Sequence, residues 1–101
     1  MTAATRKGDL TVGNAGAHPW LPTASIEGSP DVIVNDLPVV RVGDHYATHS
    51  LPYPPISPHD SVSAQGSQSV FANGKAVTRV GDQTSCSDTV QIGSPDVFVG
   101  G

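Results

Sequence analysis

One hairpin-sized segment occurs twice in this chain at a constant spacing of 38 residues, from Gly28 to Gly66 and from Arg41 to Arg79. The first copy reads Gly28-Ser29-Pro30-Asp31-Val32-Ile33-Val34-Asn35-Asp36-Leu37-Pro38-Val39-Val40-Arg41-Val42-Gly43-Asp44. The second reads Gly66-Ser67-Gln68-Ser69-Val70-Phe71-Ala72-Asn73-Gly74-Lys75-Ala76-Val77-Thr78-Arg79-Val80-Gly81-Asp82. A Gly-Ser start, a Val, an Asn at the centre and an Arg-Val-Gly-Asp end persist through both. Self-similarity of this kind points to one supersecondary unit used repeatedly. β-branched residues flank Asn35-Asp36 and Asn73-Gly74, dipeptides that tolerate the two positive φ angles of a type I′ turn, so each copy predicts a β-hairpin.

A third copy is divided between the chain ends. Gly93-Ser94-Pro95-Asp96-Val97-Phe98-Val99-Gly100-Gly101 matches the first strand and turn, and Ala3-Ala4-Thr5-Arg6-Lys7-Gly8-Asp9 matches the second strand. Joining the ends makes three equivalent hairpins. The expected fold is therefore all-β: a small pseudo-threefold body of three β-hairpins, one formed by the paired N- and C-terminal strands. Pairing Ala3–Arg6 with Val97–Val99 protects edges that would otherwise be open. The Arg-x-Gly-Asp ends at Arg6, Arg41 and Arg79 read as architecture, with each Arg and Asp pairing locally across a turn glycine.

Composition agrees. Eleven Gly and 9 Pro in 101 residues disfavour long helices and supply turns. That length suits a single domain spanning residues 1–101, with a core small enough to benefit from a staple. Five basic against 9 acidic residues, a net charge of −4, argue against a nucleic-acid partner. No apolar run is long enough to span a membrane, and the N-terminus lacks the apolar region of a Sec signal peptide. A single cysteine, Cys86, rules out an intrachain disulfide.

All the histidines and the cysteine fall in the three connections between hairpins, Leu10–Ile26, His45–Gln65 and Gln83–Ile92, which show no helical period and read as irregular loops at the apex. If the hairpins surround an axis, these connections converge at one end. Imidazole nitrogen and thiolate sulfur are the donors of structural zinc sites. His49, His59 and Cys86 are the best placed, His18 is the fourth candidate and His45, set by the hairpin exit, the reserve.

The Gly-Ser…Asn…Arg-x-Gly-Asp hairpins, with a His after the first Gly-Asp and a Cys after the second, resemble the PAAR-repeat family. Pro38-Val39-Val40-Arg41 stands where that family often carries Pro-Ala-Ala-Arg. The resemblance implies a cone whose base caps a trimeric VgrG-type spike of type VI secretion, or its phage-tail counterpart, one chain per trimer. It implies a structural zinc ion near the vertex, held by three His and one Cys. Carried onto this chain, those are His49, His59 and Cys86. The family's first His falls on Asn14, and His18, in a slightly longer loop, is read as its replacement. The implied role is non-enzymatic: sharpening the spike for membrane puncture and helping to attach or deliver effectors. The chain stops at Gly101, so a toxin effector is expected to be a separate molecule. The implied location is cytoplasmic before firing, then secreted or injected, or a virion tail tip.

Two readings from other classes compete. A zinc hydrolase would need an open metal position and a general base, but Asp60 and Asp88 have no catalytic spacing. A carbohydrate-binding β module would display exposed aromatics, and the chain has few.

Overall fold

The computed structural model describes residues 2–12, 22–49 and 59–100, and of His59 only the backbone. Ten short strands occur among them: β1 (Thr2–Ala3), β2 (Thr11–Val12), β3 (Ile33–Val34), β4 (Leu37–Pro38), β5 (His45–His49), β6 (His59–Val62), β7 (Phe71–Ala72), β8 (Lys75–Ala76), β9 (Thr89–Val90) and β10 (Phe98–Val99). They form five antiparallel pairs, with no helix among the described residues.

The three predicted hairpins are present. Ile33 pairs with Pro38 and Val34 with Leu37; Phe71 pairs with Ala76 and Ala72 with Lys75. The chain ends close the third, with Thr2 opposite Val99 and Ala3 opposite Phe98. Asn35 and Asp36 adopt φ of +52° and +66°, Asn73 and Gly74 +55° and +75°. These are the left-handed angles that type I′ turns demand.

Backbone hydrogen bonds join the hairpins into a closed ring. Thr5 N–H donates to Thr78 O at 3.2 Å, Thr78 N–H to Val40 O at 2.9 Å, and Val40 N–H to Thr5 O at 3.0 Å. These residues hold the same place in their respective copies, so the ring is threefold, and the edges of these inner strands are paired with one another. Inside it, Ala4, Val39 and Val77 pack with Val34, Ala72 and Val99. These are two sets of repeat-equivalent positions, and they make a small apolar layer on the axis. A second cluster, Val40, Tyr46 and Val90 with Val80 against it, lies further toward the connections. The molecule is elongated, 40 × 23 × 22 Å, with two nearly equal short axes.

Each motif residue has a mechanical reason. A Cβ at Gly28 would lie 2.6 Å from Pro38 Cβ, at Gly66 2.8 Å from Val77 O, and at Gly93 2.8 Å from Ala4 O, so only glycine lets the hairpin's own second strand approach. The serine that follows anchors the turn: Ser29 Oγ accepts from Val32 N–H at 2.8 Å, Ser67 Oγ from Val70 N–H at 3.0 Å, and Ser94 Oγ from Val97 N–H at 2.8 Å. The Arg-x-Gly-Asp ends are local clamps, as expected. In all three, Asp Oδ2 accepts the Arg backbone N–H and Nε–H, and Oδ1 accepts an Nη2–H. The carboxylate beside each guanidinium raises the arginine's pKa further.

Side chains also lock each hairpin tip onto the next hairpin. Asn73 Nδ2 donates to Asp31 at 2.7 Å and Asn35 Nδ2 to Asp96 at 2.9 Å. At the third junction Gly100 and Ser69 replace the Asn and the Asp. There Ser67 Oγ donates instead to Gly100 O at 2.5 Å.

The connections prove more regular than their sequence suggests. Their legs pair: β5 with β6, carrying a bulge between Tyr46 and His49, β2 with β9, and bridges join Leu10 to Ala24 and Gln83 to Thr89. The repeat therefore extends past the Gly-Asp. Gly8, Gly43 and Gly81 N–H donate to the carbonyls of Ser25, Ser63 and Val90. Two residues further out, Thr23, Ser61 and Asp88 become equivalent positions.

Candidate metal centre

Three pairs of legs rise from the ring, and they differ mainly in the loop each supports. The third supports the shortest connection in the sequence, Gln83–Ile92. Ser87 N–H donates to Thr84 O at 3.1 Å and Thr84 N–H to Asp88 O at 2.9 Å, with Ser87 at φ +72°. This is a three-residue hairpin loop, a β-turn followed by a left-handed residue. It holds Cys86 at its tip, and Ser85 Oγ ties it to the neighbouring leg by accepting from Val62 N–H at 3.0 Å.

His49 ends β5 and is buried. Its Nε2 lies 3.7 Å from Cys86 Sγ. Two donors bound to one tetrahedral zinc at about 2.0 and 2.3 Å would be about 3.5 Å apart. The spacing, and the pairing of an imidazole with a thiol, fit a shared metal ion. The Thr84 hydroxyl lies 3.2 Å from the same sulfur. Asp88 completes the cluster. Donor atoms of His49, Cys86 and Asp88 all lie within 4.8 Å of one another, and Asp88 is fully buried. Its Oδ2 accepts from the Thr11 hydroxyl at 3.3 Å and lies 3.5 Å from His49 Nδ1.

Of the residues singled out from the sequence, His49 and Cys86 are brought together. His59 is opposite His49 in the β5–β6 ribbon by its backbone pairing. His18 and Asn14 lie outside the described residues. His45 is elsewhere: its backbone N–H donates to Glu27 Oε1 at 2.8 Å, and its exposed ring meets the same carboxylate. The His45 ring holds Glu27 below the usual carboxylate range. In the next copy, Gln83 N–H donates to Gln65 Oε1 at 2.9 Å, so this contact belongs to the hairpin exit. Asp60, the other carboxylate of this region, is exposed and accepts from the Thr48 hydroxyl.

Asp88 is the cluster member that the sequence reading did not place. The signal was available in the repeat once it is carried past Gly-Asp. Equivalent legs hold Thr23 and Ser61, neutral hydroxyls, where this one has a carboxylate.

A threefold ring of hairpins with a His/Cys cluster beyond it among the described residues defines a class of small all-β proteins built on a symmetric base. The PAAR motif matches the sequence over residues 15–92, well over half of the chain. The chain belongs to the PAAR-motif family, the spike-tip proteins of contractile injection systems. No curated protein matches the sequence.

Proposed function

We propose that this chain is the non-enzymatic tip of such a machine, seated one copy per trimer on the end of a VgrG-type spike or its phage-tail counterpart. The observation that carries the reading is a set of three large apolar side chains left in solvent at one repeat-equivalent position: Ile33 is 52% exposed, Phe71 58% and Phe98 50%. Val32, Val70 and Val97 beside them are also exposed. Apolar surface of this kind gains free energy when covered. Because the ring makes the three positions equivalent, the complementary surface has three equivalent parts, which a trimer's axial end supplies. A monomer thus meets a trimer without a symmetry mismatch.

In this reading the apex is held by a zinc ion on His49, Cys86, His59 and His18. The ion would tie together connections that have little apolar core. A hydrolase would need the carboxylate near the metal to act as a base, and Asp88 is instead buried against Thr11 and His49 Nδ1. The protein would assemble in the cytoplasm, leave with the spike on firing, touch the target membrane in passing, and help to deliver a separate toxin effector.

Light scattering of a complex with a purified trimeric spike tests the ratio. One chain per three spike subunits is expected, with affinity nearly independent of salt, because the contact is apolar. Replacing the exposed trio (Ile33→Asp, Phe71→Asp, Phe98→Asp) should abolish the complex and leave the melting temperature unchanged. A three-to-three complex, or one that dissociates at moderate salt, overturns the reading.

A further inference from the structure

The three legs that carry the apex present Thr23, Ser61 and Asp88 at one repeat-equivalent position, all buried. Two are small hydroxyl residues. The third is an acid with no solvent exposure, placed two residues from Cys86 and 3.5 Å from His49 Nδ1. Burying a carboxylate is costly unless compensating charge and hydrogen bonds meet it. The fold tolerates a neutral residue at this position elsewhere, so the local architecture does not require the acid.

The two ring nitrogens of His49 face different groups. Nε2 is toward the Cys86 sulfur at 3.7 Å, and Nδ1 is toward Asp88 Oδ2. A neutral imidazole offers a lone pair at one nitrogen and an N–H at the other. An acceptor beside Nδ1 fixes the hydrogen there and leaves the Nε2 lone pair for a metal. The Thr11 hydroxyl, 3.3 Å from the same carboxylate oxygen, holds the acceptor in place. Charge follows the same logic. A zinc ion with neutral imidazoles and one thiolate carries one net positive charge, and Asp88 supplies one negative charge beside it.

We propose that Asp88 is the positioning residue of the metal centre: it sets the Nδ1–H tautomer of His49 and neutralises the bound ion, without being a ligand. The proposal rests on the zinc reading given above.

The test uses the full chain loaded with Zn²⁺. Asp88→Ser and Asp88→Thr install what the equivalent legs already hold, so both variants are expected to fold. Zinc affinity, measured by chelator competition, should fall about 10–100-fold in each. With Co²⁺ in place of zinc, the thiolate charge-transfer band and the ligand-field bands should keep their positions. With the zinc stripped by chelator, nitrogen NMR of His49 should report a pure Nδ1–H tautomer in the parent protein and a mixture in Asp88→Ser. An unchanged zinc affinity in Asp88→Ser overturns the proposal, as does a ligand-field spectrum showing a changed donor set, which would make Asp88 a ligand. His49→Ala and Cys86→Ala separate the two ideas: if both retain full zinc, the metal reading itself has failed.

Discussion

Gly66→Ala should destabilise the protein, although elementary chain entropy predicts the reverse. Gly66 has no positive φ. An alanine there would ordinarily restrict the unfolded chain and stabilise by about 0.4–1 kcal/mol. The structure reverses the sign. The added Cβ would lie 2.8 Å from Val77 O, 3.0 Å from Ala76 Cβ and 3.1 Å from Ala76 O. The first of these is backbone, and Val77 O is also the acceptor of Ser67 N–H at 2.8 Å. Relieving the clash moves the hairpin's second strand away and stretches the bond that starts the repeat. Overpacking of this sort costs about 1–3 kcal/mol. At about 4–8 °C per kcal/mol for a chain of this size, the melting temperature should fall by about 10 °C. Gly100→Ala is the control: nothing lies within 4 Å of its Cβ position and its φ is not positive, so it should be neutral or slightly stabilising. Thermal unfolding followed by circular dichroism, with zinc present and with zinc chelated, decides the matter. A Gly66→Ala melting temperature equal to or above that of Gly100→Ala would refute the close-approach account of the Gly-Ser motif. Gly28→Ala and Gly93→Ala should behave like Gly66→Ala.

Asp36→Gly converts the first turn to the Asn-Gly of the second and relieves a φ of +66°, so it should stabilise by about 0.5 kcal/mol, read as a melting temperature a few degrees higher. His49→Ala and Cys86→Ala should lower zinc content and thermal stability together, because metal binding is part of the folding free energy, whereas His45→Ala should leave zinc content unchanged by metal analysis. Asp31 is held below its ordinary pKa by its hydrogen bond from Asn73 and, next, by that from Ser29. The stability it contributes is therefore present above the unfolded carboxylate pKa and lost as pH falls through the lower folded value. NMR titration should show the Asp31 midpoint rising in Asn73→Ala while that of Asp96, held down by Asn35, stays put; an unmoved Asp31 would sink the tip-to-hairpin link.

The hairpins, their turns, the paired termini and the Arg-Asp clamps were all legible in the sequence. Each rests on interactions between residues close in the motif, whose chemistry recurs from copy to copy. Asn35-Asp36 announces its own φ angles, and Arg41 needs only Asp44, three residues on. The paired legs were not legible. Thr11, Tyr46 and Thr84 hold equivalent places, as do Ser25, Ser63 and Val90, but no residue type persists across either set. Backbone bonds there do the aligning, and backbone bonds leave little trace in side-chain identity. Asp88 was hidden for the same reason: its meaning lies in contrast with Thr23 and Ser61, a comparison that the pairing of the legs makes visible. His49 and Cys86 could be nominated from donor chemistry alone, but their 3.7 Å approach depends on the short turn at Ser85–Ser87.

The order in which identity fades along the axis has a physical cause. Nearest the hairpin tips, Ala4, Val39 and Val77 are all small apolar residues. In the next ring Val40 stands with Thr5 and Thr78, and farther on Val90 with Ser25 and Ser63. Last come Asp88, Thr23 and Ser61. The end that carries the exposed Ile33, Phe71 and Phe98 stays closest to threefold, which suits the seat on three equal partners proposed above. The opposite end cannot stay threefold if it binds one tetrahedral ion, since four donors do not divide among three equivalent loops. One loop must supply an extra donor or a different one. Here the divergence is visible in the chain itself, as a thiol on the shortest loop, an imidazole at the end of β5, and a buried acid where the other two legs keep hydroxyls.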